Sequence, residues 1–334
     1  MSITAKELAK LLKLSEAAVS MALNNKPGVS KKTRTRIIEA AGKNGYDFTR
    51  INETNTTCGN IHFVIYKKHG AVVADTPFFA QLTEGIDIGC KRAKYNLNIN
   101  YIYRGDDTEL QLGEILRSGS SGIILLGTEM DKEDFVPFSD IKIPLVLIDT
   151  YFESAGRDCI LINNVEGAFQ ATSYIISKKK TQPGYLHSSY PIRNFEERAD
   201  GFYKAVRMYG MSSSKSVVHK LSPSVEGAYA DMLTLLKQGE EPASCYFADN
   251  DLIAAGAIKA FREMGYKIPE DVAVIGFDNM PICSYVEPAI TTVNVPKQYI
   301  GEIAVQRLTD IISSKEFFPV KIEVSTNLAI RKSV

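Results

Sequence analysis

The spacing of apolar and polar positions differs between two parts of the chain. In the first fifty residues, apolar side chains recur at helical spacing in three short segments that begin near Thr4, Ser15 and Ser30. From Asn60 onward, short apolar runs rich in β-branched residues alternate with helical stretches. This alternation predicts a parallel, doubly wound sheet, so we expect an α/β protein preceded by a small all-α segment.

The apolar runs of the second part number too many for one compact lobe, which predicts two lobes. The predicted strands are 61–66, 97–103, 122–126, 144–148, 159–162, 184–187, 245–248, 272–277 and a final strand at 322–328. The predicted helices lie near 78–95, 108–117, 164–178, 194–209, 225–237 and 250–264. No glycine-rich dinucleotide or phosphate-binding motif follows a strand, so no cofactor is predicted.

The three N-terminal helices carry strong start signals. Thr4 followed by Glu7 is a capping box, and Ser15 and Ser30 are favourable N-caps for the second and third helices. A helix, a tight turn and a second helix form a small bundle whose second helix can enter the major groove of DNA. The predicted DNA contacts are Thr4, Ser15, Glu16, Ala17, Ser20, Met21, Asn24, Lys26, Ser30, Lys31 and Arg34.

The charge distribution supports that interpretation. The whole chain has no net charge, yet its first fifty residues hold ten Lys and Arg against four acidic residues. A local basic excess is the electrostatic footprint of a phosphate-binding surface. The pattern leaves one alternative open, a helical interaction module with a solvated basic face.

Segments 2–9, 14–30 and 34–46 closely resemble the headpiece of the LacI/GalR family of repressors, and the resemblance identifies 15–24 as the recognition helix. Two positions depart from the family, which usually has Arg at Met21 and Thr at Ala18. Because arginine bonds guanine with two hydrogen bonds and methionine offers only apolar contact, the operator sequence cannot be carried over. Glu16 either accepts from cytosine or simply suits the helix N-terminus.

The polar, Asn- and Thr-rich segment 49–59 is predicted to be a linker between a headpiece at 1–48 and a ligand-binding and dimerisation domain at 60–334. In the resembling family this segment forms a hinge helix on DNA with an apolar wedge in the minor groove. Only Ile51 and Phe48 could serve as that wedge here. The wedge is therefore either altered or absent.

Polar residues follow four predicted strands of the second part, where ligands of parallel sheets bind. They are Asp149 and Thr150, Asn163 and Asn164, Asn250 and Asp251, and Asp278 and Asn279. Each of them could instead be an N-cap or a turn former.

Segments 76–79, 198–202, 250–254, 268–279 and 288–293 resemble the effector domain of the same family, which is similar to periplasmic sugar-binding proteins. The resemblance implies an N-lobe of about 60–160 plus 292–325 and a C-lobe of about 161–290, joined by three crossings. The ligand contacts that it implies are Thr76, Phe78, Phe79, Asp149, Arg198, Asn250 and Asp278. Thr76 and Val295 stand where many members carry amides, which argues against a typical sugar.

These features together predict a cytoplasmic, homodimeric, allosteric transcription repressor that binds a near-palindromic operator on double-stranded DNA and a small-molecule effector. No secretory signal or membrane-spanning run occurs, and no Leu-heptad tail follows the last strand. A solute-binding receptor without DNA regulation is the alternative. An enzyme is not expected, because the four histidines show no pairing with a nucleophile, and the scattered cysteines are expected to be buried thiols rather than metal ligands.

Overall fold

A computed structural model of the chain describes residues 3–24, 28–48, 57–73, 77–153, 155–314 and 318–334. It separates into two compact units, Met1–Cys58 and Gly59–Val334. Each unit is described by itself.

The first unit is a bundle of three helices, α1 (Ala5–Leu12), α2 (Glu16–Leu23) and α3 (Lys31–Lys43). All three predicted caps are confirmed, because Thr4, Ser15 and Ser30 each accept a hydrogen bond from a backbone N–H of the following turn. One apolar side of each helix faces a shared core. Its buried side chains are Leu8, Ala9, Val19, Ala22, Leu23, Ile37 and Ala41.

The second unit alternates strands and helices along most of its length. Its strands are β1 (Gly59–Lys67), β2 (Tyr95–Tyr103), β3 (Ser120–Leu126), β4 (Leu145–Ile148), β5 (Asp158–Ile162), β6 (Gly184–Ser188), β7 (Val218–Leu221), β8 (Cys245–Ala248), β9 (Ala273–Asp278), β10 (Thr291–Asn294), β11 (Lys321–Val324) and β12 (Asn327–Ala329). Its helices are α4 (Pro77–Ala93), α5 (Thr108–Arg117), α6 (Lys132–Ser139), α7 (Asn164–Lys179), α8 (Arg193–Met208), α9 (Val225–Lys237), α10 (Asp251–Glu263), α11 (Ile282–Tyr285) and α12 (Lys297–Ser313).

The strands form two sheets, which confirms the predicted α/β class and the two lobes. The first sheet has the order β11-β5-β4-β3-β1-β2 with all neighbours parallel. The second has the order β12-β10-β9-β8-β6-β7, and only β12 runs antiparallel to its neighbour. Buried apolar runs such as 145–148 explain this arrangement, because a parallel strand covered on both faces is apolar throughout.

The structure corrects the final crossings between the lobes. The predicted last strand at 322–328 is two strands, with β11 in the first sheet and β12 in the second. Strand β10 also belongs to the second sheet, so the returning N-lobe segment starts after Asn294 rather than at 292. Strand β7 escaped prediction because only two of its four residues, His219 and Leu221, are buried.

Four of the five cysteines are buried, but Cys58 is exposed, contrary to expectation; all five are free thiols. Across the parts of the chain that the structure describes, no helix combines the length and the apolar character that crossing a bilayer requires.

Candidate ligand cleft and DNA-contacting face

Six of the seven predicted ligand contacts line one cleft between the two sheets of the second unit. The cleft has an empty volume of about 430 Å³. Its lining side chains are Val72, Phe78, Phe79, Thr128, Asp149, Ile192, Asn194, Phe195, Arg198, Pro223, Asn250, Leu252, Asp278 and Met280. The seventh predicted contact, Thr76, lies outside the described residues. The lining is mostly apolar with a few polar groups, which is the usual composition of a small-molecule site.

Arg198 is the centre of the polar network. It lies on α8, is 3% exposed, and donates from Nε to Asn164 Oδ1 at 2.9 Å. Its Nη2 donates to Asp278 Oδ1 at 3.1 Å, and its Nη1 donates to the backbone carbonyl of Asp249. The guanidinium also lies 3.7 Å from the ring centroid of Phe277. These fixed contacts orient the remaining N–H groups of the guanidinium for a ligand.

Asp278 ends strand β9 with a φ of 103°, a left-handed conformation that few residues other than glycine adopt. Burial raises the pKa of its carboxyl, while Arg198 and Lys297 act to lower it. The Nζ of Lys297 donates to the Asp278 carbonyl and so ties the start of α12 to the end of β9. Two cations, Arg198 and Lys297, therefore stabilise the strained turn at Asp278.

Asp149 follows strand β4, also with a positive φ, of 62°. Its Oδ2 accepts a hydrogen bond from the Thr128 hydroxyl at 2.6 Å. Burial raises the pKa of Asp149 to about 6, against the lowering effects of Thr128, Arg198 and Asn194. The carboxyl is thus held by one neighbour and faces the cleft.

The N-cap interpretation of the polar residues after strands is correct at two positions. Asn250 Oδ1 accepts from the Ile253 backbone N–H at 2.9 Å, and Asn163 caps α7. Asn250 also lines the cleft, so it is both a helix N-cap and a cleft residue. Asn163 does not line the cleft; its neighbour Asn164 instead holds Arg198.

Two further carboxyls lie behind the cleft wall. Asp249 is fully buried and accepts hydrogen bonds from the Tyr185 hydroxyl and from the Ser188 backbone N–H. Asp251 accepts from the Thr292 hydroxyl at 2.5 Å and from the Met280 backbone N–H at 2.7 Å. Burial raises the pKa of Asp251 to about 7, with a further rise from the nearby Asp278.

Sequence reasoning missed two polar residues of the cleft, Thr128 and Asn194, and it named Asn164 only as a residue after a strand, without its contact to Arg198. Thr128 comes two residues after strand β3 and could have been found by the same strand-end rule that found Asp149. Asn194 is the second residue of α8, and Asn164 is the first residue of α7. Asn194 does not follow from local pattern, because a helix-start Asn is common in any fold.

Glu129 was missed as well, although it organises one wall of the cleft. Its buried carboxylate accepts five backbone N–H bonds of 2.8–3.1 Å from the loop after β1. The donors are Lys68, His69, Gly70, Val72 and Val73. Burial acts to raise the pKa of Glu129, but these hydrogen bonds lower it below its ordinary value. The loop that they fix includes Val72 of the cleft lining.

In the first unit, the predicted DNA contacts on α2 share one outward face. Glu16, Ala17 and Ser20 are exposed, while Met21 and Asn24 are half-buried. Met21 packs against Gly28, where a Cβ would lie 3.0 Å from its Sδ. Asn24 donates from its amide to the Ser20 carbonyl at 2.9 Å. The outward face of α2 is therefore short, carries mostly small side chains and is accessible to solvent.

The other predicted contacts surround that face. Thr4, Ser15 and Ser30 are exposed and use their hydroxyls as helix caps. Lys31 is exposed and Arg34 is half-buried at the start of α3. Lys26 lies outside the described residues. Helix N-termini with exposed backbone N–H groups and nearby cations are suited to phosphate.

Histidines and acids form no metal centre in the described part of the chain, where no group of three or more candidate ligands occurs. His187 Nδ1 lies 2.8 Å from Asp249 Oδ2, and His62 Nδ1 lies 2.8 Å from Asn100 Oδ1. The second contact joins neighbouring strands β1 and β2, and the first joins β6 to the residue that follows β8. Neither histidine lines the cleft.

The chain is similar to a known domain family and to several known regulators. A periplasmic binding protein-like domain model matches residues 173–334. The NTD biosynthesis operon regulator NtdR of Bacillus subtilis (strain 168) is 31% identical over 340 residues, covering 99% of each chain. The HTH-type transcriptional regulator GalS of Salmonella typhimurium is 29% identical and covers 91% of this chain and 88% of its own.

Solved structures share the fold. The transcriptional regulator CelR in complex with cellobiose superposes with a TM-score of 0.74 at 23% identity, over 99% of this chain and 100% of its own. The lac repressor dimer bound to operator and the anti-inducer ONPF superposes with a TM-score of 0.72 at 18% identity, over 100% of this chain and 99% of its own.

Proposed function

The chain belongs to the LacI/GalR family of transcription regulators, and on that premise we propose that it represses transcription by binding an operator, with an affinity that a small polar molecule in the cleft changes. One observation carries this proposal. Arg198, Asp149, Asn250 and Asp278 come from four separate segments and meet, buried, at an apolar-walled cleft. Convergence of that kind is expected of a binding site and costs stability without one.

The proposed DNA-binding element is the outward face of α2. Glu16, Ala17, Ser20 and Met21 contact base edges, and Lys31 and Arg34 contact the flanking phosphates. Small side chains and a methionine favour apolar contact with thymine methyl groups over hydrogen bonds to guanine. In this proposal the headpiece covers 1–48, the linker 49–59, and the ligand-binding domain the remainder.

The regulator acts as a homodimer, and its operator is nearly palindromic, because two-fold symmetry in the protein matches two-fold symmetry in the site. The relative solved as a dimer on its operator supports this assembly. The relative solved with cellobiose supports a polar, hydroxyl-bearing effector class. No catalytic role is assigned to any residue.

Ligand binding and operator binding are coupled through the free-energy difference between two states of the dimer. Such coupling is typically about 1–3 kcal/mol, which changes operator affinity by roughly 5- to 150-fold. The ligand need only contact the two states differently for this to occur.

Selection of bound sequences from a random duplex pool tests the DNA-binding part of the proposal. The full chain is compared with a version that starts at Asn60. We expect the full chain to enrich a near-palindrome and the truncated version to enrich nothing. Failure of the full chain to enrich any sequence at low salt would contradict the proposal.

A further inference from the structure

One polar atom of the cleft has no partner. Asp149 is 5% exposed and lines the cleft, and its Oδ2 is occupied by the Thr128 hydroxyl. Its Oδ1 is buried, and among the residues that the structure describes no donor makes a hydrogen bond to it. A buried carboxylate oxygen without a donor is unfavourable, so the position points to a group that arrives with the ligand.

The other carboxylates around the cleft are already compensated. Asp278 contacts the Arg198 guanidinium at 3.1 Å, and the Lys297 ammonium binds its carbonyl. Asp249 accepts from Tyr185 and from a backbone N–H, and the His187 ring lies 2.8 Å away. Asp251, behind the wall, accepts from the Thr292 hydroxyl and from the Met280 backbone N–H. Two buried cations, Arg198 and Lys297, thus stand against three buried carboxyls, and Asp149 is a fourth.

The cleft wall therefore holds more carboxyls than cations, and Asp149 has a buried oxygen that no donor of the described residues reaches. Burial raises the pKa of Asp149 to about 6 even though Thr128, Arg198 and Asn194 act to lower it, so these neighbours only partly offset the cost of burying its charge. The charge count and the unpartnered oxygen therefore indicate the same missing group, a hydrogen-bond donor that carries positive charge.

We infer that the cleft selects a small molecule with a protonated amine, whose ammonium group binds Asp149 Oδ1. This inference rests on the proposed function and specifies its ligand class. A neutral hydroxyl would supply a hydrogen bond but leave the carboxylate charge uncompensated. An ammonium supplies both, and hydrogen bonds between charged partners are about twice as strong as neutral ones.

The other residues that line the cleft indicate the chemistry of the rest of the ligand. Phe78, Phe79, Leu252 and Met280 offer apolar surface for one face of a ring. Asn194 also lines the cleft, and its Oδ1 accepts from the Asn164 amide at 3.3 Å, so its own amide N–H groups suit a ligand hydroxyl. The ligand class is therefore an amine-bearing polyol or amino sugar, rather than a neutral sugar or a sugar acid.

Thermal unfolding of the full chain with matched probes tests this inference. The probes are D-glucosamine, D-glucose and D-glucuronate, with the corresponding galactose and mannose series, each at millimolar concentration at pH 7.5. A ligand that binds only the folded state raises Tm in proportion to its affinity. We expect at least one amine to raise Tm, and its hydroxyl and carboxylate counterparts to do so less or not at all.

Variants then test whether Asp149 is the residue that binds the amine. Asp149→Asn should weaken binding of the stabilising amine by about 10- to 100-fold, the equivalent of one lost charged hydrogen bond, and leave any binding of its neutral counterpart unchanged. Thr128→Val keeps the Asp149 charge and should retain the amine preference. Asp310→Asn, at an exposed position of α12, is the matched control.

Three results would overturn the inference: no amine raises Tm, a neutral or acidic probe binds as tightly as its amine, or Asp149→Asn keeps the preference. The first two need only the natural sequence, so they stand even if the variant fails to fold. Operator binding measured on the same samples separates the two proposals. A neutral sugar that changes operator affinity would sustain the proposed function and refute the amine.

Discussion

The DNA-contacting face and the ligand cleft use their side chains in opposite ways. The face comes from one continuous stretch, and its side chains such as Glu16, Ser20 and Lys31 are exposed. The cleft draws residues from separate segments, and side chains such as Arg198 and Asp149 are almost fully buried. Substitutions on the face should therefore change DNA affinity alone, whereas substitutions in the cleft should change folding and ligand binding together.

The largest effect is expected for Arg198→Met. It removes the partner of Asp278 and the donors to Asn164 and to the Asp249 carbonyl, and leaves buried charge uncompensated. We expect the free energy of unfolding to fall by about 3–5 kcal/mol in urea titrations. Arg207→Met, at an exposed position of the same helix, should change it little. A loss below about 1 kcal/mol for Arg198→Met would contradict the buried network.

Glu129→Gln should have the next largest effect. Glutamine has one acceptor oxygen, and its amide would face backbone N–H groups of the 68–73 loop. Each unsatisfied buried donor costs about 1–3 kcal/mol, so we expect a loss of about 2–4 kcal/mol. Hydrogen exchange should become faster in 68–73 first. Glu133→Gln is the exposed control, and equal effects of the two would contradict the role of Glu129.

Stability should also depend on pH through a carboxyl buried behind the cleft wall. Burial raises the folded-state pKa of Asp251 to about 7, above the value for an unfolded chain. Its stabilising contribution is therefore present at low pH and is lost as pH rises through the folded pKa. Asp251→Asn, which mimics the protonated acid, should flatten the fall in unfolding free energy between pH ~5 and ~7 by up to about 1.4 kcal/mol per pH unit.

Urea titrations at several pH values measure this slope. Asp310→Asn, at an exposed position with no buried partner, should leave the slope unchanged. A slope that Asp251→Asn does not alter would mean that Asp251 does not titrate in that range.

Substitutions on the DNA-contacting face should have the smallest effect on stability. Lys31→Gln together with Lys32→Gln, its exposed neighbour, should leave Tm unchanged and weaken binding to all duplexes alike. The salt dependence should fall by roughly 1.8 in log–log slope for each headpiece, or roughly 3.6 for the dimer. Ser20→Ala or Met21→Ala should instead change which sequences bind best. Fluorescence anisotropy over a salt series separates the two outcomes. Lys220→Gln with Lys237→Gln, in the second unit, is the charge-matched control.

Local signals explain why the headpiece and most strands could be predicted from the sequence. The capping serines and the Thr4–Glu7 box act within a single helical turn, so their pattern is visible without tertiary structure. Buried parallel strands are continuous apolar runs, and 145–148 and 245–248 are of that kind. Strand β7 is short and half-exposed, so its sequence carries no comparable signal.

The cleft was only partly predictable, because its geometry depends on topology. The strand-end rule and the family resemblance together found Asp149, Asn250 and Asp278, which the sheets bring to one place. Asn164 and Glu129 act through partners about 34 to 61 residues away, Arg198 and the 68–73 loop, and no local pattern marks such pairs. The last crossing was misplaced because 322–328 contains no glycine or proline to mark a break, although its two halves belong to different sheets.

In the proposed function, occupation of the cleft changes how tightly the headpiece binds DNA. The most direct measurement is an anisotropy titration of the selected operator with the full chain, with and without a compound that raises its Tm. We expect a change in operator affinity of roughly 5- to 150-fold, which is abolished when Asp149→Asn weakens binding of that compound. An operator affinity that stays constant while the compound is bound would contradict the proposed function.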